Sequence, residues 1–232
     1  MDHALTYNSE KALAYEKNTR ISIPTYDALF AMIKSYFRAQ LDDKEASLLV
    51  IGAGGGNELS AWGPSNPNWT FTGVDPSEEM LQIANKKSVQ LGLESRVRLI
   101  HGTIDNLPPQ DFKFDAVSCI LVLHFIDDIQ EKLTLLKKIK NHLKPGKPFV
   151  VVSAYGDRDS DELHNNIKVW QSFFLDAGYE KSKTEDMAKV IMNISFISEN
   201  QIEQLLTEAG FTNVTRFYTT GFFAGWICHA QE

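Results

Sequence analysis

A run of glycines directly after a short aliphatic segment contains the first residues of this chain whose type and spacing point to chemistry. Leu48–Ile51 are all aliphatic, which is typical of a strand buried on both faces, and the segment Asn57–Trp62 can form a helix. Gly52 is predicted to permit the tight turn, Gly54 to bring the backbone close to a ligand, and Gly56 to let helix and strand pack closely. Because the free amides at the start of the helix then face the space above the strand, the pattern predicts the first half of a nucleotide-binding unit.

An aspartate follows the next apolar segment at a spacing that suits a nucleotide ribose. Trp69–Val74 predicts a second strand, and Asp75 stands at its end, about twenty residues beyond the glycines. A carboxylate in this place can accept hydrogen bonds from the ribose hydroxyls. An alternative is that Asp75 caps the following helix, with Pro76 at the first helical position and Glu78 completing a capping box; the two roles are compatible.

Five segments in a fixed order carry a resemblance to a known family. They are Val50–Gly56, Gly73–Leu81, Gly102–Pro108, Phe114–Val117 and Leu143–Gly146, and together they resemble the class I S-adenosylmethionine-dependent methyltransferases. The resemblance implies a Rossmann-like, doubly wound α/β fold with a seven-stranded sheet that is parallel except for one antiparallel strand. It also implies S-adenosyl-L-methionine as the cofactor and S-adenosyl-L-homocysteine as its product.

The chain departs from the family's pattern at two positions. The family usually has an acidic residue two positions before the first glycine, where this chain has Val50. It often has aspartate after the glycine of the third segment, where this chain has Thr103. Both departures concern individual contacts to the cofactor rather than the fold.

The resemblance places a set of residues around the methyl donor. The set consists of Gly52, Ala53 and Gly54 under the methionine part, Asn57 at the helix start, Asp75 at the ribose, Pro76 and Met80 beside the adenine, Thr103 and Ile104 at the adenine edge and face, and Cys119 and Ile120 near the sulfonium. For Met80 and Ile104, plain core packing is an equal alternative. Cys119 could equally be a small buried hydrophobe.

A closer resemblance, to the carboxy-S-adenosylmethionine synthase branch of the superfamily, rests on Arg20–Tyr26, Ala177–Tyr179 and Ala209–Phe211. In that branch the tyrosine after the proline contacts the methionine end of the cofactor, so the resemblance places Tyr26 there. That branch also holds the extra carboxylate of its donor with an arginine of a helical insertion. Between residues 155 and 200 this chain has only Arg158, which is flanked by two aspartates. We therefore expect ordinary S-adenosylmethionine as the donor.

The acceptor is harder to predict, because methyl transfer depends mainly on holding nucleophile, methyl and sulfur in line. A general base is needed only when the acceptor must lose a proton, and His124, just past the fourth predicted strand, is the candidate catalytic residue. Its alternative is a histidine whose hydrogen bonds are satisfied at the sheet edge. The residues predicted to wall the acceptor pocket are aromatic, and core packing is their alternative: Tyr15, Trp170, Phe174 and Tyr179.

The elements that must position these residues alternate between strand and helix, which predicts a parallel sheet covered on both faces. Strands are predicted at residues 48–51, 69–75, 96–101, 114–122, 147–154, 212–219 and 222–230, and the last two are antiparallel because their linker is short. We expect a single domain: a helical cap (residues 1–41), a cofactor-binding core (46–154), a helical insertion over the strand tips (155–195), and a C-terminal helix with the antiparallel strand pair (196–232). Within the cap, residues 1–20 are predicted to form a marginal helix or an arm that becomes ordered on binding.

Composition limits the function classes. The 232 residues carry a formal net charge of −7, which argues against a sequence-independent grip on nucleic acid. Signal-peptide and membrane-spanning patterns are not evident, and Cys119 and Cys228 suggest reduced, buried thiols, so we expect a cytoplasmic protein that is not membrane-bound. No structural zinc or other metal is expected. The expected partner is a small-molecule acceptor, and a homodimer is compatible with the sequence.

Two other functions remain open from the residues alone. A nicotinamide-dependent oxidoreductase can share this type of fold, although its fingerprint places glycine where Asn57 stands. A non-catalytic S-adenosylmethionine-binding protein would have the same donor motifs as an enzyme. Turnover with an acceptor would separate these last two.

Overall fold

One seven-stranded sheet organises the part of the chain that the structure describes. The computed structural model describes residues 9–42, 44–108 and 113–231, with side chains from residue 14 onward. The strands are β1 (Ala46–Ile51), β2 (Trp69–Asp75), β3 (Val97–His101), β4 (Ala116–Ile120), β5 (Pro148–Ala154), β6 (Phe211–Thr220) and β7 (Phe223–Ala230). Their order is β3-β2-β1-β4-β5-β7-β6, and β7 runs antiparallel to both of its neighbours. The predicted fold class is confirmed.

Helices cover both faces of this sheet. They are α1 (Ser9–Ser22), α2 (Tyr26–Leu41), α3 (Asn57–Trp62), α4 (Glu78–Gln90), α5 (Ile129–His142), α6 (Asp161–Asp176), α7 (Lys181–Ile191) and α8 (Glu199–Glu208). Residues of α2, α3, α4 and α6 form one buried apolar cluster, and residues of α5 and α8 form another. Among the described residues, no helix is both long enough and apolar enough to cross a bilayer.

The helix boundaries follow from local signals. Ser198 and Gln201 form the predicted capping box at the start of α8. Buried residues of α6 recur at helical spacing, at Leu163, Ile167, Trp170 and Phe174, so this helix presents a continuous apolar face to the sheet side of the molecule. The predicted N-terminal helix is present as α1 from Ser9 onward, and the first eight residues of that prediction lie outside the described residues.

The fourth strand is shorter than the sequence pattern predicted. Phe114 makes only an isolated bridge to Leu143, and regular pairing stops after Ile120. The reason for the early end is Leu121, whose φ of 58° lies in the left-handed region that side chains disfavour. The chain therefore leaves the sheet at this point and enters a short 3₁₀ turn, Leu123–Phe125, directly above the strand.

Candidate cofactor and acceptor site

A cavity of ≈ 460 Å³ lies at the carboxyl ends of β1, β2 and β4. Its polar and backbone lining comes from the strand ends, with Gly52 and Gly54 after β1, Asp75, Pro76 and Ser77 after β2, and Gly102 and Thr103 after β3. The chain connections run in opposite directions from β1 and β4, so the cavity stands at the topological switch point of the sheet. Open α/β sheets bind ligands at this place, and the volume is in the range of small-molecule sites.

The glycine turn is tied to the end of β2 by one carboxylate. The Asp75 Oδ2 atom accepts a hydrogen bond from the Gly54 backbone N–H (2.8 Å), and Oδ1 accepts one from the Ser77 N–H (2.9 Å). Burial raises the pKa of Asp75, and these two amides oppose that rise. A carboxylate offers about four lone-pair positions, so acceptor capacity remains for a ligand hydroxyl in the cavity.

The alternative role for Asp75, as a helix cap followed by Pro76 at the first helical position, is wrong. Ser77 is the N-cap of α4, and its Oγ accepts a hydrogen bond from the Met80 N–H at 3.2 Å. Pro76 therefore precedes the helix and lines the cavity. This arrangement leaves the Asp75 carboxylate between the two loops rather than on the helix terminus.

Gly56, at the end of the turn, has a different packing partner from the one predicted. A Cβ atom on Gly56 would come within 3.0 Å of the Ala84 Cα atom of α4. Gly56 also has φ +74°, so two constraints favour glycine here. The close packing it permits is between the turn and helix α4, not between helix and strand.

Apolar walls flank the part of the cavity predicted to hold adenine. Met80 and Ile104 line it and are 5% and 4% exposed. Thr103, at the position where the family often has aspartate, caps the 3₁₀ turn Ile104–Asn106 with its hydroxyl and itself lines the cavity. The structure thus brings Gly52, Gly54, Asp75, Pro76, Met80, Thr103, Ile104 and Ile120 together as predicted.

Two residues predicted to contact the donor lie in the core instead. Cys119 is fully buried, and it packs with residues of the α5 and α8 face. Burial raises the pKa of its thiol to about 12, so it behaves as a small apolar side chain. Ala53 is buried against Val50 and Leu81. Neither residue is part of the cavity lining. For Cys119 this agrees with the alternative stated above, a small buried hydrophobe.

His124 also has the geometry of its structural alternative. The residue is 5% exposed and is not among the cavity-lining residues. Its Nδ1 atom accepts a hydrogen bond from the Ala154 backbone N–H (3.1 Å) and lies 3.3 Å from the Ser153 Oγ atom. Burial, with a smaller effect of Lys132, lowers the pKa of His124 to about 3, so the imidazole is neutral at physiological pH. Its catalytic role stays a prediction that this geometry does not favour.

Lys132 holds the turn that follows β4, and no pattern in the sequence indicates this role. Its side chain is fully buried, and the Nζ atom donates hydrogen bonds to the carbonyl oxygens of Leu123 (2.7 Å) and Ile126 (2.5 Å). Burial lowers its pKa to about 8. This amine fixes a segment whose residues Val122, Phe125 and Ile126 line the cavity. A lysine in an amphipathic helix normally indicates a solvated face, so pattern alone could not identify it.

A second cavity, also of ≈ 460 Å³, lies between α1, α2, α3 and α4, and contains the remaining two predicted donor residues. The Asn57 Nδ2 atom donates to the Tyr26 Oη atom at 3.0 Å, so these two residues meet on the far side of the glycine turn. Lys87 donates both to the Asn57 Oδ1 atom (3.1 Å) and to Glu16 of α1 (2.9 Å). Tyr26 and Asn57 therefore adjoin the glycine turn without lining the first cavity.

The predicted acceptor-pocket aromatics separate into two groups. Tyr15 of α1 lines the first cavity. Trp170 and Phe174 are buried in the core, and Trp170 donates from Nε1 to the Ser22 Oγ atom at 2.6 Å. The Tyr179 hydroxyl donates to the side chain of Asn18 on α1, also at 2.6 Å. Trp170 and Tyr179 thus fasten α6 and its following turn to α1, and Phe174 packs against both of their rings, which is the core-packing alternative.

Comparisons with known proteins agree with the fold and the motifs. A family model described as a methyltransferase domain matches residues 49–147. The uncharacterized methyltransferase YcgJ of Bacillus subtilis (strain 168) is 30% identical over 125 residues, which are 53% of this chain and 47% of that protein. Demethylmenaquinone methyltransferase of Staphylococcus saprophyticus is 29% identical over 156 residues, 66% of this chain and 64% of that protein. The chain thus spans less than two thirds of the length of either relative.

A solved structure with a similar fold is a plantazolicin methyltransferase in complex with a monoazolic desmethylPZN analog and S-adenosylhomocysteine. It is 17% identical, with a TM-score of 0.68 over 96% of this chain and 90% of that one. At this identity the likeness concerns the fold alone. The chain is thus similar in sequence to a methyltransferase domain over residues 49–147, and similar in fold to a methyltransferase over most of its length.

Proposed function

We propose that this protein transfers a methyl group from S-adenosylmethionine to a small-molecule acceptor with an apolar body. The observation that carries the proposal is the position of the Asp75 carboxylate, which joins the glycine turn to the end of β2 and lines the cavity at the switch point of the sheet. Ribose hydroxyls of an adenosine would donate to its remaining lone pairs. The matched methyltransferase domain supports the same donor.

The residues of the cavity suit the parts of this donor. Asp75 offers charged acceptor oxygens for the ribose, and Met80 and Ile104 provide apolar surfaces for the faces of adenine. Gly54 has φ +46°, a conformation that favours glycine, so the backbone above β1 carries no side chain at this point. The bound donor supplies a methyl group on a positively charged sulfur, which is already an activated leaving group.

The task left to the protein is in-line orientation, which can contribute roughly 7–11 kcal/mol. Leu121, in its strained left-handed conformation, fixes where the chain leaves β4, and its N–H donates to the Val152 carbonyl at 2.8 Å. The Lys132 Nζ atom donates hydrogen bonds to two carbonyl groups of the next turn. These contacts keep the wall beyond Ile120 in one arrangement, so that an acceptor atom can approach the methyl group along the axis of displacement.

The acceptor side of the cavity is apolar. Its wall is formed by Leu121, Val122, Phe125, Ile126 and Leu135, and Phe125 is 48% exposed at the rim. Burial of an apolar body against these side chains would supply most of the acceptor's affinity. A base within this wall is not evident among the described lining residues, which favours an acceptor that needs little help to lose a proton.

Calorimetry with S-adenosylhomocysteine and with NAD tests the donor. We expect binding of S-adenosylhomocysteine and no measurable binding of NAD, because Asn57 stands where the dinucleotide fingerprint requires glycine. Tight binding of NAD alone would overturn the proposal.

Mass spectrometry of ligand released from the denatured protein decides between the ordinary and the carboxylated donor. Arg158 is exposed and donates to the Ile194 carbonyl, outside the residues that line the cavity, so we expect ordinary S-adenosylmethionine. Recovery of the carboxylated species would instead support the synthase branch. Binding without turnover on any apolar acceptor would favour a non-catalytic binding protein.

A further inference from the structure

The second cavity, between α1, α2, α3 and α4, has no part in the proposed methyl transfer. Its volume of ≈ 460 Å³ is in the range of small-molecule sites. The two cavities share no lining residue among those that the structure describes. A Cβ atom on Gly55 would lie 3.7 Å from Cε of Met80, which lines the first cavity, and 4.0 Å from Nζ of Lys87, which lines the second. The main chain of the glycine turn therefore separates the two cavities.

The charged residues that line the second cavity carry an excess of positive charge. Three are cations from three different helices, namely Arg20 on α1, Lys34 on α2 and Lys87 on α4. Two are carboxylates, Glu16 and Asp27, so the described lining keeps one positive charge in a protein whose formal net charge is −7. A positive region of this kind attracts a negatively charged ligand.

The two carboxylates do not neutralise these cations evenly. Glu16 is shared, since its carboxylate pairs with both Arg20 Nη1 (2.8 Å) and Lys87 Nζ (2.9 Å). The side chain of Asp27, the second partner of Arg20, is 74% exposed, so solvent screens that pair. Lys34 is half-buried and makes no hydrogen bond or ion pair through its side chain with any residue that the structure describes. The cavity thus holds one unpaired cation and two cations that share a carboxylate.

The rest of the lining includes an apolar surface. Phe30 is 3% exposed, and its ring centroid lies 4.9 Å from that of Tyr26. Ala31, Ala61 and Leu91 extend this surface, and Leu91 is 39% exposed, so part of it is open to solvent. A ligand that matches both parts of the cavity has an apolar body and one anionic group.

We propose that the second cavity binds a small organic anion. The anionic group, a carboxylate or a phosphate, lies among Lys34, Lys87 and Arg20, and the apolar body lies against Phe30. Glu16 is the internal competitor of this ligand, because its carboxylate pairs with two of the same three cations. The site is separate from the first cavity, so the inference does not depend on the proposed function.

An NMR titration of the isotope-labelled, ligand-free protein with benzoate tests the site. Benzamide is the matched probe, because it has the same size and no charge. We expect benzoate to shift the amide resonances of residues 26–34 and 87–91, and benzamide to bind about tenfold more weakly, since it cannot pair with Lys34. Equal binding of the two probes, or shifts confined to residues of the first cavity, would overturn the inference.

Lys34→Met removes the unpaired cation and keeps an apolar stem of similar length. We expect benzoate to bind this variant about tenfold more weakly, and benzamide to bind as it does to wild type. The matched control is Lys137→Met, an exposed lysine of α5 that also has no ion pair among the described residues. Unchanged benzoate affinity in Lys34→Met would contradict the inference.

Glu16→Gln should change benzoate affinity in the opposite direction. Because it removes the competing carboxylate from Lys87 and Arg20, we expect benzoate to bind this variant several-fold more tightly. Glu131→Gln, an exposed residue of α5, is the matched control and should behave like wild type. Weaker binding of benzoate to Glu16→Gln would show that Glu16 is not a competitor and would overturn that part of the inference.

Phenyl phosphate and inorganic phosphate identify the anionic group. Tighter binding of phenyl phosphate than of benzoate would assign a phosphate monoester to the cavity, and the reverse order would assign a carboxylate. Inorganic phosphate should bind more weakly than phenyl phosphate, because it has no apolar body; equal binding would overturn the role of the apolar surface.

Saturating S-adenosylhomocysteine should leave the benzoate shifts in place. Displacement of benzoate would show that the second cavity belongs to the donor site and would overturn the inference. A protein that binds benzoate at residues 26–34 but does not bind S-adenosylhomocysteine would overturn the proposed donor alone. Should either variant fail to fold, the comparison of benzoate with benzamide on the wild-type protein decides by itself.

Discussion

At the scale of single residues, Asp75 connects the parts of the proposed donor site. It fastens the Gly54 and Ser77 amides while facing the cavity, so one carboxylate both builds the site and is available to bind a ligand. Burial raises its pKa, which means that the protein pays a desolvation cost to keep this group in place. The loss of ligand affinity on replacing Asp75 should therefore depend on how many of its hydrogen bonds the new side chain can keep.

We predict that Asp75→Ala weakens S-adenosylhomocysteine binding by roughly 1.5–3 kcal/mol, the scale of hydrogen bonds to a charged group. Asp75→Asn should lose less, because its amide oxygen can still accept one backbone hydrogen bond. Calorimetry on both variants measures this, with Asp176→Ala at the exposed end of α6 as the control. Wild-type affinity in Asp75→Ala would reduce Asp75 to a residue that only organises the loops.

Residues whose role depends on the backbone conformation of a turn could be predicted from the sequence. Residues whose role depends on burial could not. Gly54 and Asp75 stand at a fixed spacing that the turn itself requires, so pattern suffices for them. Glu58 and Lys132 are charged residues on helices, where solvent exposure is the usual outcome. Only tertiary packing buries them. Cys119 and Ile120 were both predicted at the site, but successive strand residues point to opposite faces, and Ile120 alone lines the cavity.

At the scale of elements, α1 and α6 are fastened together beside the proposed donor site, and we call this unit the α1–α6 cover. Trp170 and Tyr179 bond to Ser22 and Asn18, so the aromatic side chains of the insertion hold α1 rather than the acceptor. Tyr15 of α1 in turn reaches the first cavity. The insertion therefore acts on the site through α1, which the sequence could not predict because helical periodicity does not identify the packing partner.

We predict that S-adenosylhomocysteine increases the hydrogen-exchange protection of the amides of α1 more than that of α5, which lies on the other face of the sheet. Lys87→Met should raise exchange in α1 without ligand, because Lys87 bonds to both Glu16 and Asn57. The neighbouring, exposed Lys86→Met is the matched control. Equal protection of α1 with and without ligand would mean that the cover is simply part of the core.

The strand boundaries show how the local backbone conformation limits the prediction of a fold from sequence. The sheet's central strands were predicted within a few residues, because aliphatic runs bounded by glycine and proline are strong signals. The predicted extension of β4 to residue 122 was wrong, since Leu121 adopts a left-handed conformation that no pattern of residue types indicates. That one residue decides where the apolar wall of the first cavity begins. The division of the whole chain into one domain with cap and insertion stays a prediction.

At the scale of the whole molecule, three buried titratable groups set the response of stability to pH. The pKa of His124 is lowered to about 3, that of Glu58 is raised to about 8, and that of Lys132 is lowered to about 8, in each case mainly by burial. Stability linked to the two bases is lost as pH falls, through 6.5 to 3 for His124 and through 10.5 to 8 for Lys132. Stability linked to Glu58 is lost as pH rises from 4.5 to 8.

We predict that the free energy of unfolding of the ligand-free protein falls by about 1–2 kcal/mol between pH 6.5 and 8, because the folded protein keeps the Glu58 proton that the unfolded chain has lost. The opposing contributions of His124 and Lys132 are smaller in this window. Denaturant titrations at several pH values measure the slope. Glu58→Gln should flatten it. A wild-type slope of the opposite sign would show that Glu58 is ionised in the free protein.

The charged contacts between α1 and the rest of the molecule make the cover sensitive to ionic strength. Glu16 pairs with both Lys87 and Arg20, and these side chains are 21–39% exposed, so dissolved ions can reach them. Screening weakens such pairs far more than it weakens the apolar contacts of α6. Salt should therefore shorten the time that S-adenosylhomocysteine stays bound, while leaving the proposed contacts to its adenosine unchanged. Stopped-flow release of S-adenosylhomocysteine at two potassium chloride concentrations would measure this difference, and an unchanged release rate would contradict it.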